Sequence, residues 1–543
     1  MKKRIICAAL ALCLLMGLVP GVLAQTDEEI VAMFEEYADA MREAILNSPT
    51  GIYKSDEYIP GETYTGTAYY ISDSDGDDEN DGLSPEHPWK TLNMAWATEL
   101  QPGDAVFLKR GDMFRSFLLT KNGVTYSAYG EGPKPVITSS PEDGADPEKW
   151  ELYYEDETGK KVWKFYRDLP QSGGIYLNNG ETLVRRAYGW WTGDHYIDVK
   201  ITFAPQQHPN AEVGWNLVAG GEQIPESSLE DMEFCWMAPL DGLEFPINSV
   251  GGDGPGPLYF RCDAGNPGEL FDNIEFCAQE WCVICMPGYC EGVVLDNLAA
   301  LYWSNAAIGA DEQTGLDMVL QNCEVGYGCN NINSYMQPEP TQDYMMISDS
   351  IYGLVRNTII RNNYVHDADG AGITFESHGD DGVAKLLDAN GNENTKHTYL
   401  CERNLIERCG AGIQINDGND WYNFSRVTIQ DNCIMDTGKR QGAGCFSGIG
   451  ALSIGAWGRL NIDLLEVSRN ALCRSNGFIL NFGVDTIENT EPDFHDNSYI
   501  QDANGWFGLN QWGQYIPTQA TYLIDVLKKY LHNDTDWIVL LWN

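Results

Sequence analysis

One short pattern of apolar and polar positions returns between residues 293 and 513. Each repeat contains two or three alternating apolar residues, an Asn at a turn and another apolar pair. A further strand that begins with Gly often follows, as in "TIIRNNYVHDADGAGITF" from Thr358. The turn residues of the seven repeats are Asn297, Asn322, Asn363, Asn404, Asn432, Asn470 and Asn497. The shortest steps between them are 25, 27 and 28 residues, and steps near 40 predict a coil with an inserted loop.

Strand-like segments that recur with this period predict a solenoid of stacked β-coils. A single coil cannot bury its own apolar side, so the core forms only when coils stack on one another. The pattern resembles the right-handed parallel β-helix of the pectate-lyase-like superfamily. We therefore expect an all-β chain folded as a right-handed parallel β-helix, with caps at both ends.

The sequence outside the repeats predicts the remaining segments. Residues 26–47 combine a capping box of Thr26 and Glu29 with an apolar face, which predicts a helix that covers the open first coil. Residues 140–260 lose the repeat and have Gly and Asn turns between short strands, which predicts a β-rich insertion. The expected segments are a signal peptide (1–24), an N-terminal helix and lead-in (25–65), first coils (66–139), the insertion (140–260), the main β-helix (261–513) and a C-terminal helix and strand cap (514–543).

The first 24 residues have the composition of a secretory signal. Three basic residues precede an apolar run, and small residues ending at Ala24 resemble a cleavage site. The run is too short for a membrane span. We therefore expect a secreted protein without a membrane anchor.

Residues 68–116 closely resemble the N-terminal coil of many secreted β-helix proteins, with an Asp-rich turn, Pro88-Trp89-Lys90-Thr91 and a short helix. The later order of "NNGE", "NPG" and the repeats is similar to bacterial β-helix glycoside hydrolases of the fucosidase and xylanase types. This resemblance implies a carbohydrate-active protein that takes a polysaccharide or oligosaccharide. Its motifs are architectural and specify no reaction.

The formal net charge of -46 narrows the range of possible binding partners. It excludes nonspecific nucleic-acid binding and disfavours a polyanionic substrate that lacks a bridging cation. No cofactor is required by the sequence, but Ca²⁺ is a possible ligand of two acidic loops, residues 73–82 and 388–394. Neither loop fits the EF-hand pattern, because Asp78 and Glu393 stand where its turn needs Gly. A structural turn and a polar loop are therefore the favoured interpretations.

A cluster of four cysteines leaves three interpretations open. Cys277, Cys282, Cys285 and Cys290 could bind a metal, form one or more disulfides, or serve as small buried apolar residues in strands. Cys323 and Cys433 directly follow the repeated Asn and are expected in equivalent positions of their coils.

In the resembled superfamily, the Gly-led strand of each coil faces the substrate groove. Alternation along "GAGITFES" and "GAGIQIND" directs Ile373, Phe375 and the equivalent Ile residues inward and the residues between them outward. Amides, hydroxyls and Trp rings on that face suit sugars, although Asn could equally be a structural ladder. The expected substrate-binding residues are Asn333, Thr374, Gln414, Asn416, Ser453, Asn481, Trp421, Trp457 and His378, with Trp303 near the same turns.

Glycoside hydrolysis needs one protonated and one ionised carboxyl group. Glu376 is the central candidate because it lies on the groove strand. The candidate partners are Asp417 on the next coil, Asp311 about two coils back, and Asp367 or Asp369 in the preceding turn. For each Asp alone, a turn-forming role is also open.

Two alternatives to a hydrolase remain. A cation-assisted polysaccharide lyase needs a basic residue at the groove, and His366, His378, Arg403 and Arg408 are candidates. A non-catalytic glycan-binding or cell-surface β-helix needs neither feature, since the fold does not fix the function. In each case we expect a monomer.

Overall fold

The structure is a computed structural model in which strands account for most of the fold. It describes residues 26–186, 188–191, 196–201, 215–220, 229–236, 255–278, 281–285, 290–304, 306–310, 315–329, 349–352, 357–377, 397–417, 423–438, 450–455, 460–476, 478–483, 490–503, 505–511, 514–519, 525 and 536–541. The expected signal peptide and most of the expected C-terminal helix lie outside these residues.

Three ten-stranded sheets form the body of the molecule. Sheet 1 contains Ala68–Ile71, Ala105–Lys109, Thr125–Tyr129, Val294–Asp296, Val319–Gln321, Thr358–Arg361, His397–Glu402, Asn423–Gln430, Asn461–Ser468 and Glu491–His495. Sheet 2 contains Met113–Phe114, Val136–Thr138, Ala299–Ser304, Glu324–Cys329, Tyr364–Ala368, Leu405–Glu407, Cys433–Thr437, Ala471–Ser475, Ser498–Asp502 and Trp537–Leu541. Sheet 3 contains Leu118–Leu119, Trp281–Cys285, Ala306–Ala310, Asp349–Tyr352, Ala371–Ser377, Ala411–Asp417, Gly450–Ile454, Phe478–Gly483, Trp506–Gln511 and Gln514–Gln519.

From Ala105–Lys109 to Trp506–Gln511, the described strands of the β-helix follow one another through sheets 1, 2 and 3 in the same order. Each strand pairs in parallel with the corresponding strand of the next coil, for example Ile373 with Ile413 and Ile413 with Leu452. The exception among the three sheets is Gln514–Gln519, which pairs antiparallel with Trp506–Gln511 and ends sheet 3. The predicted parallel β-helix architecture therefore fits the observed sheets, whereas its handedness and its superfamily stay predictions.

Apolar side chains from all three sheets fill one continuous core. Ile373, Phe375 and Ile413 belong to it, as strand alternation predicts. At the N-terminal end, Trp89, Leu92 and Ala95 pack onto this core around the short helix α2 (Asn93–Ala97). This segment lies beside the first strands, where the open end of the solenoid has to be covered.

A buried ladder of amide side chains joins the later coils. The Asn404 Nδ2 atom donates to Asn432 Oδ1 at 3.0 Å, and Asn432 Nδ2 donates to Asn470 Oδ1 at 2.9 Å. The same contact repeats from Asn363 to Asn497, which donates to Asp536. Each of the five Asn side chains is at most 1% exposed. The amide hydrogen bonds therefore fix the register in which one coil sits on the next.

Two of the seven repeated Asn residues do not belong to this ladder. Asn297 and Asn322 occupy the preceding position, where φ is 60° and 53° and the backbone is left-handed. Cys323 takes the ladder position of its coil, and its N–H donates to Asn363 Oδ1. Cys433 instead pairs with Leu405 in sheet 2, so the two cysteines are not in equivalent positions as expected.

The cysteine cluster is dispersed in the structure. The thiols of Cys277, Cys282 and Cys290 are all buried, and their sulfur atoms contact Tyr327 O, Leu301 O and Met318 Sδ respectively. The side chain of Cys285 lies outside the described residues. In the described part of the chain, no group of three or more His, Cys, Asp or Glu residues could hold a metal ion. The three described cysteines thus behave as small buried apolar residues.

The insertion forms a seven-stranded sheet against the outside of the β-helix. Its strands, in spatial order, are Ile274–Phe276, Gly174–Leu177, Thr182–Arg186, Glu233–Trp236, Leu258–Arg261, Lys161–Phe165 and Trp150–Glu155. Tyr176 from this sheet packs with Tyr302 and Tyr327 of sheet 2. The sheet extends to Phe276 rather than ending at 260, because Ile274–Phe276 is its edge strand.

Smaller elements complete the described fold. They are the antiparallel strands Tyr188–Trp191, Tyr196–Ile201 and Trp215–Gly220, the paired strands Tyr53–Lys54 with Thr63–Tyr64 and Cys290–Glu291 with Gly315–Leu316, the 3₁₀ helix Pro147–Lys149 and helix α3 (Pro267–Leu270).

The N-terminal helix does not cover the first coil. Helix α1 (Asp27–Leu46) begins at the predicted capping box of Thr26 and Glu29. Its buried face contacts residues of later coils on the outside of sheet 2, including Leu405 and Ile500. Arg42 ties it there through an ion pair with Glu407 at 2.7 Å. The helix therefore runs across stacked coils, since its apolar stripe matches the apolar outer face of sheet 2.

Replacement of Asn432 by Ala tests the ladder. The change removes the acceptor of the buried Asn404 N–H and one hydrogen bond each from Asn404 Nδ2 and Asn470 Oδ1, and a buried group left without a partner costs about 1–3 kcal/mol. We expect the free energy of unfolding to fall by about 3 kcal/mol or more in urea denaturation. Thr398→Ala is the control, because this side chain is exposed in the same part of sheet 1. Equal stability of the two variants would contradict a structural role for the ladder.

Candidate functional site

Two neighbouring strands of sheet 3 extend past their neighbours. Ala371–Ser377 and Ala411–Asp417 pair along their length, which places Glu376 opposite Asn416 and Ser377 opposite Asp417. The pairing with Gly450–Ile454 ends at Ile415, and the pairing with Asp349–Tyr352 ends at Thr374. Glu376 and Asp417 thus lie on a two-residue extension shared by two coils. The structure describes their strand positions and not their side chains.

The register of this extension places two candidate carboxylates close together in the backbone but in alternate columns. Adjacent strands lie about 4.8 Å apart and residues along a strand about 3.3 Å, so the diagonal between the backbones of Glu376 and Asp417 is about 6 Å. Asp417 pairs with Ser377, the neighbour of Glu376, and strand alternation therefore directs Glu376 and Asp417 to opposite faces, so the register does not support Asp417 as the partner of Glu376. The column of Glu376 itself continues as Asn416 on the next coil.

A rigid aromatic cluster supports the extension from inside. The ring of Phe375 makes edge contacts with Tyr399 at 4.8 Å and with Phe424 at 5.1 Å between centroids. Phe375 and Ile415 are at most 1% exposed. The residues flanking the candidate carboxylates are therefore locked in the core, which favours a site with fixed backbone geometry.

The expected substrate-binding column is aligned across the coils but shielded from solvent. Thr374 pairs with Gln414, Gln414 with Ser453 and Ser453 with Asn481. All four side chains are buried, although they lie outside the apolar core cluster. The open groove expected at these four positions is therefore not observed. Among the described residues, the hydroxyl oxygens of Thr374 and Ser453 find no hydrogen-bond partner.

Asp367 belongs to a charged cluster on the outside of sheet 2. Its carboxylate accepts hydrogen bonds from Arg408 Nε at 3.1 Å and Nη2 at 2.9 Å. It also lies 2.9 Å from Nδ1 of His366, whose Nε2 is 3.4 Å from Glu324. The His366 ring stacks on Tyr364 at 4.2 Å. This network joins the coils to each other beside the insertion and helix α1, and it lies on a different sheet from Glu376.

Asp369 lies at the opposite end of the strand that carries Glu376. It occupies the corner between sheets 2 and 3 and is 6% exposed. Glu376 lies five positions beyond Ala371 along this strand, a distance of about 16 Å. That distance exceeds the roughly 5–9.5 Å between the carboxyl groups of a glycosidase pair. Asp369 therefore does not partner Glu376 in this geometry.

A carboxylate that the sequence did not single out lies near Asp369. Asp349 is 8% exposed and accepts a hydrogen bond from the Ala371 N–H at 3.0 Å. Asp349 is the first residue of Asp349–Tyr352, the sheet 3 strand one coil before Ala371–Ser377. The sequence repeat is hard to recognise at this coil because a long segment separates Cys329 from Asp349. This contact ties the start of the Glu376 strand to the preceding coil.

Several expected site residues lie outside the described part of the chain: Asp311, Asn333, His378, Trp421 and Trp457. The second acidic loop, residues 388–394, lies outside it as well. Trp303 is described and is fully buried in the core, with its ring over Gly328. It is therefore not part of a groove.

The first acidic loop is held by hydrogen bonds within the protein. Asp78 accepts them from the N–H groups of Lys90 and Thr91, and Asp75 pairs with Lys109. The carboxylates thus fasten the turn to neighbouring segments. Among the described residues, no helix is long and apolar enough to cross a membrane.

Comparison with known proteins gives one partial sequence match. No family model matches the chain. A stretch of 109 residues is 38% identical to a lacto-N-biosidase of Bifidobacterium longum subsp. longum, and it covers 18% of this chain and 7% of that protein. Because the aligned stretch is such a small share of the relative, it does not place the chain in a family.

Solved structures give weak similarity over most of the chain. The complex of XylC with xylose has a TM-score of 0.39 and 14% identity, covering 81% of this chain and 64% of that chain. The selenomethionine derivative of a GH136 lacto-N-biosidase from Eubacterium ramulus has a TM-score of 0.36 and 13% identity, covering 96% and 73%. At these TM-scores the similarity carries no residue-level correspondence.

His366 makes the stability of the sheet 2 cluster dependent on pH. Burial lowers the pKa of its imidazole, but the hydrogen bonds to Asp367 and Glu324 and the charges of these carboxylates outweigh burial and raise the pKa above 6.5. The protonated ring then contributes stability that is fully present below about pH 6.5 and is lost as the pH rises through the raised pKa.

We expect the thermal midpoint of the wild type to fall more between pH 6 and pH 9 than that of His366→Gln. Differential scanning calorimetry at several pH values measures the difference. The exposed Glu269→Gln variant controls for general charge effects. Parallel pH profiles for wild type and His366→Gln would show that the ring does not hold a proton in the folded state.

Proposed function

We propose that this protein is a glycoside hydrolase that acts on an oligosaccharide or polysaccharide, with Glu376 as one of its catalytic carboxyl groups. The observation that carries the proposal is the strand register, which places Glu376 in one column with Thr374 and beside Asn416 of the next coil. The stretch similar to a lacto-N-biosidase supports a glycosidase as the enzyme class.

The chemistry needs one carboxylic acid to protonate the leaving oxygen and one carboxylate to attack the sugar or to activate water. A spacing of about 5–5.5 Å between carboxyl groups suits direct attack, and about 6.5–9.5 Å leaves room for water. We assign the acid to Glu376 because it continues the column of Thr374, whose surroundings are shielded from solvent. A carboxyl group beside such surroundings remains protonated more readily.

The polar column that contains Glu376 extends beyond its buried part. Thr374 and Gln414 are buried and lie two residues before Glu376 and Asn416 on their strands, and alternation assigns these four positions to one face. Asn416 is therefore the amide that we assign to sugar hydroxyls beside Glu376. Amide and hydroxyl groups recognise neutral sugars without requiring a charged ligand, which agrees with the acidic character of the chain. The N-terminal leader supports secretion as part of the same proposal.

Activity measurements on Glu376→Gln test the proposal. A panel of nitrophenyl glycosides and oligosaccharides, including a lacto-N-bioside, identifies the substrate of the wild type. Loss of the acid is expected to reduce kcat about 10²–10⁴-fold, because general acid catalysis contributes this much. Asp417→Asn, at a position that strand alternation assigns to the opposite face, and the exposed control Glu269→Gln should both retain activity.

The outcomes separate the proposal from its rivals. Full activity of Glu376→Gln would remove this residue from the mechanism. Products that absorb in the ultraviolet because they contain a new carbon–carbon double bond would identify a lyase instead. Sugar binding without turnover across the panel would identify a binding protein.

A further inference from the structure

A pocket lies on the outside of sheet 1, at the N-terminal coils. Its volume is about 760 Å³, within the roughly 300–1,000 Å³ typical of small-molecule sites. The lead-in segment 47–64 forms one wall, and the strands Ala68–Ile71, Ala105–Lys109 and Thr125–Tyr129 form the other. Glu376 lies on sheet 3 and three coils further along, about 14 Å in the stacking direction. The pocket is thus separate from the proposed catalytic site.

Five aromatic rings line the pocket. Tyr70, Phe107 and Tyr129 come from the outward positions of three successive strands, and Tyr53 and Tyr64 come from the lead-in segment. Tyr70 contacts Phe107 at 5.7 Å and Tyr129 at 5.2 Å between ring centroids. Tyr53 is 56% exposed. Mutual packing therefore holds the inner rings, while an exposed ring remains at the mouth.

The polar side of the pocket is also fixed before a ligand binds. Arg110 is 8% exposed and donates from Nη2 to Ser48 O at 2.8 Å and to Asn297 Oδ1 at 2.7 Å. Its Nη1 atom donates to Gly132 O at 3.3 Å. Thr50 donates to Ala128 O at 2.7 Å. These contacts anchor both walls to the coils, so little ordering is needed on binding.

The available groups identify the class of ligand. Burial raises the pKa of the Tyr64 and Tyr70 phenols, and raises that of Tyr129 to about 12, so these hydroxyls stay neutral. The carboxylate of Glu131 is exposed at the rim. Arg110 is the cationic residue among the described lining side chains. Both of its terminal nitrogens donate hydrogen bonds to protein oxygens. An anion would therefore meet no available cation there.

We infer that this pocket binds a neutral pyranose or short oligosaccharide, apart from the catalytic site. The aromatic faces suit the C–H faces of sugar rings, and the Glu131 carboxylate and the phenols suit sugar hydroxyls. Such a site holds a glycan on the enzyme without cleaving it. The inference rests on sugar chemistry and does not require Glu376 to be catalytic.

Isothermal titration of the full chain with xylobiose, lactose, diacetylchitobiose and digalacturonate tests the pocket. We expect at least one neutral disaccharide to bind wild type and Glu376→Gln with the same Kd. Tyr53→Ala and Glu131→Gln should each weaken that Kd about tenfold or more, since stacked rings and charge-assisted hydrogen bonds are the main contacts. Both side chains are exposed, so both variants should fold, which circular dichroism verifies.

Tyr166→Ala is the matched control, because Tyr166 is also 56% exposed but lies on the insertion. It should leave the Kd unchanged. The pocket assignment is overturned if no neutral disaccharide binds, if digalacturonate alone binds, or if Tyr53→Ala binds like wild type. It is also overturned if Glu376→Gln abolishes binding, since the sugar would then sit at sheet 3.

Discussion

Hydrogen bonds that run from one coil to the next are the constraint on which the rest of this structure depends. In the four successive coils of Asn363, Asn404, Asn432 and Asn470, a residue in the left-handed region comes just before the ladder Asn, and its N–H donates to a carbonyl of the following coil. Examples are Asn362 to Glu402 and Arg403 to Gln430. The left-handed conformation costs free energy for a residue other than Gly. The hydrogen bonds between stacked coils offset that cost. The same hydrogen bonds fix which residues of adjacent coils become neighbours.

A second left-handed column shows how side chains reinforce the same register. Asp367 pairs with Arg408, and Asp436 pairs with Arg474 at 2.9 Å. Opposite charges therefore meet between successive coils on the outside of sheet 2, where helix α1 and the insertion pack. The register set by these columns continues into sheet 3, and there it aligns Ser377 with Asp417. The candidate site is in this sense a product of the stacking contacts.

The sequence predicted the elements whose signal lies in a local repeat. Alternation identified Ile373, Phe375 and Ile413 as core residues, and the capping box located the start of helix α1. The predicted position of that helix was wrong, because an apolar stripe does not specify which apolar surface the helix will contact. Asn297 and Asn322 were grouped with the other five turn Asn residues. A shift of one residue within a turn cannot be recognised from the sequence when both positions favour Asn.

The site was harder to predict for a physical reason. Strand alternation gives the face on which Thr374 and Ser453 lie, but it says nothing of what covers that face, and both prove to be buried. The distance between two carboxylates and the face that each occupies depend on pairing across coils, which separated Asp369 from Glu376 and placed Asp417 in the alternate column. Likewise, the aromatic pocket joins residues from the lead-in and three strands, and no local pattern connects them.

The most direct measurement of the central claim is a crystal structure of the Glu376→Gln protein soaked with an oligosaccharide that the wild type cleaves. The account predicts that the scissile glycosidic oxygen lies within hydrogen-bonding distance of residue 376, with Asn416 beside the same sugar. A glycan bound with its scissile bond away from sheet 3, leaving both residues uncontacted, would contradict it.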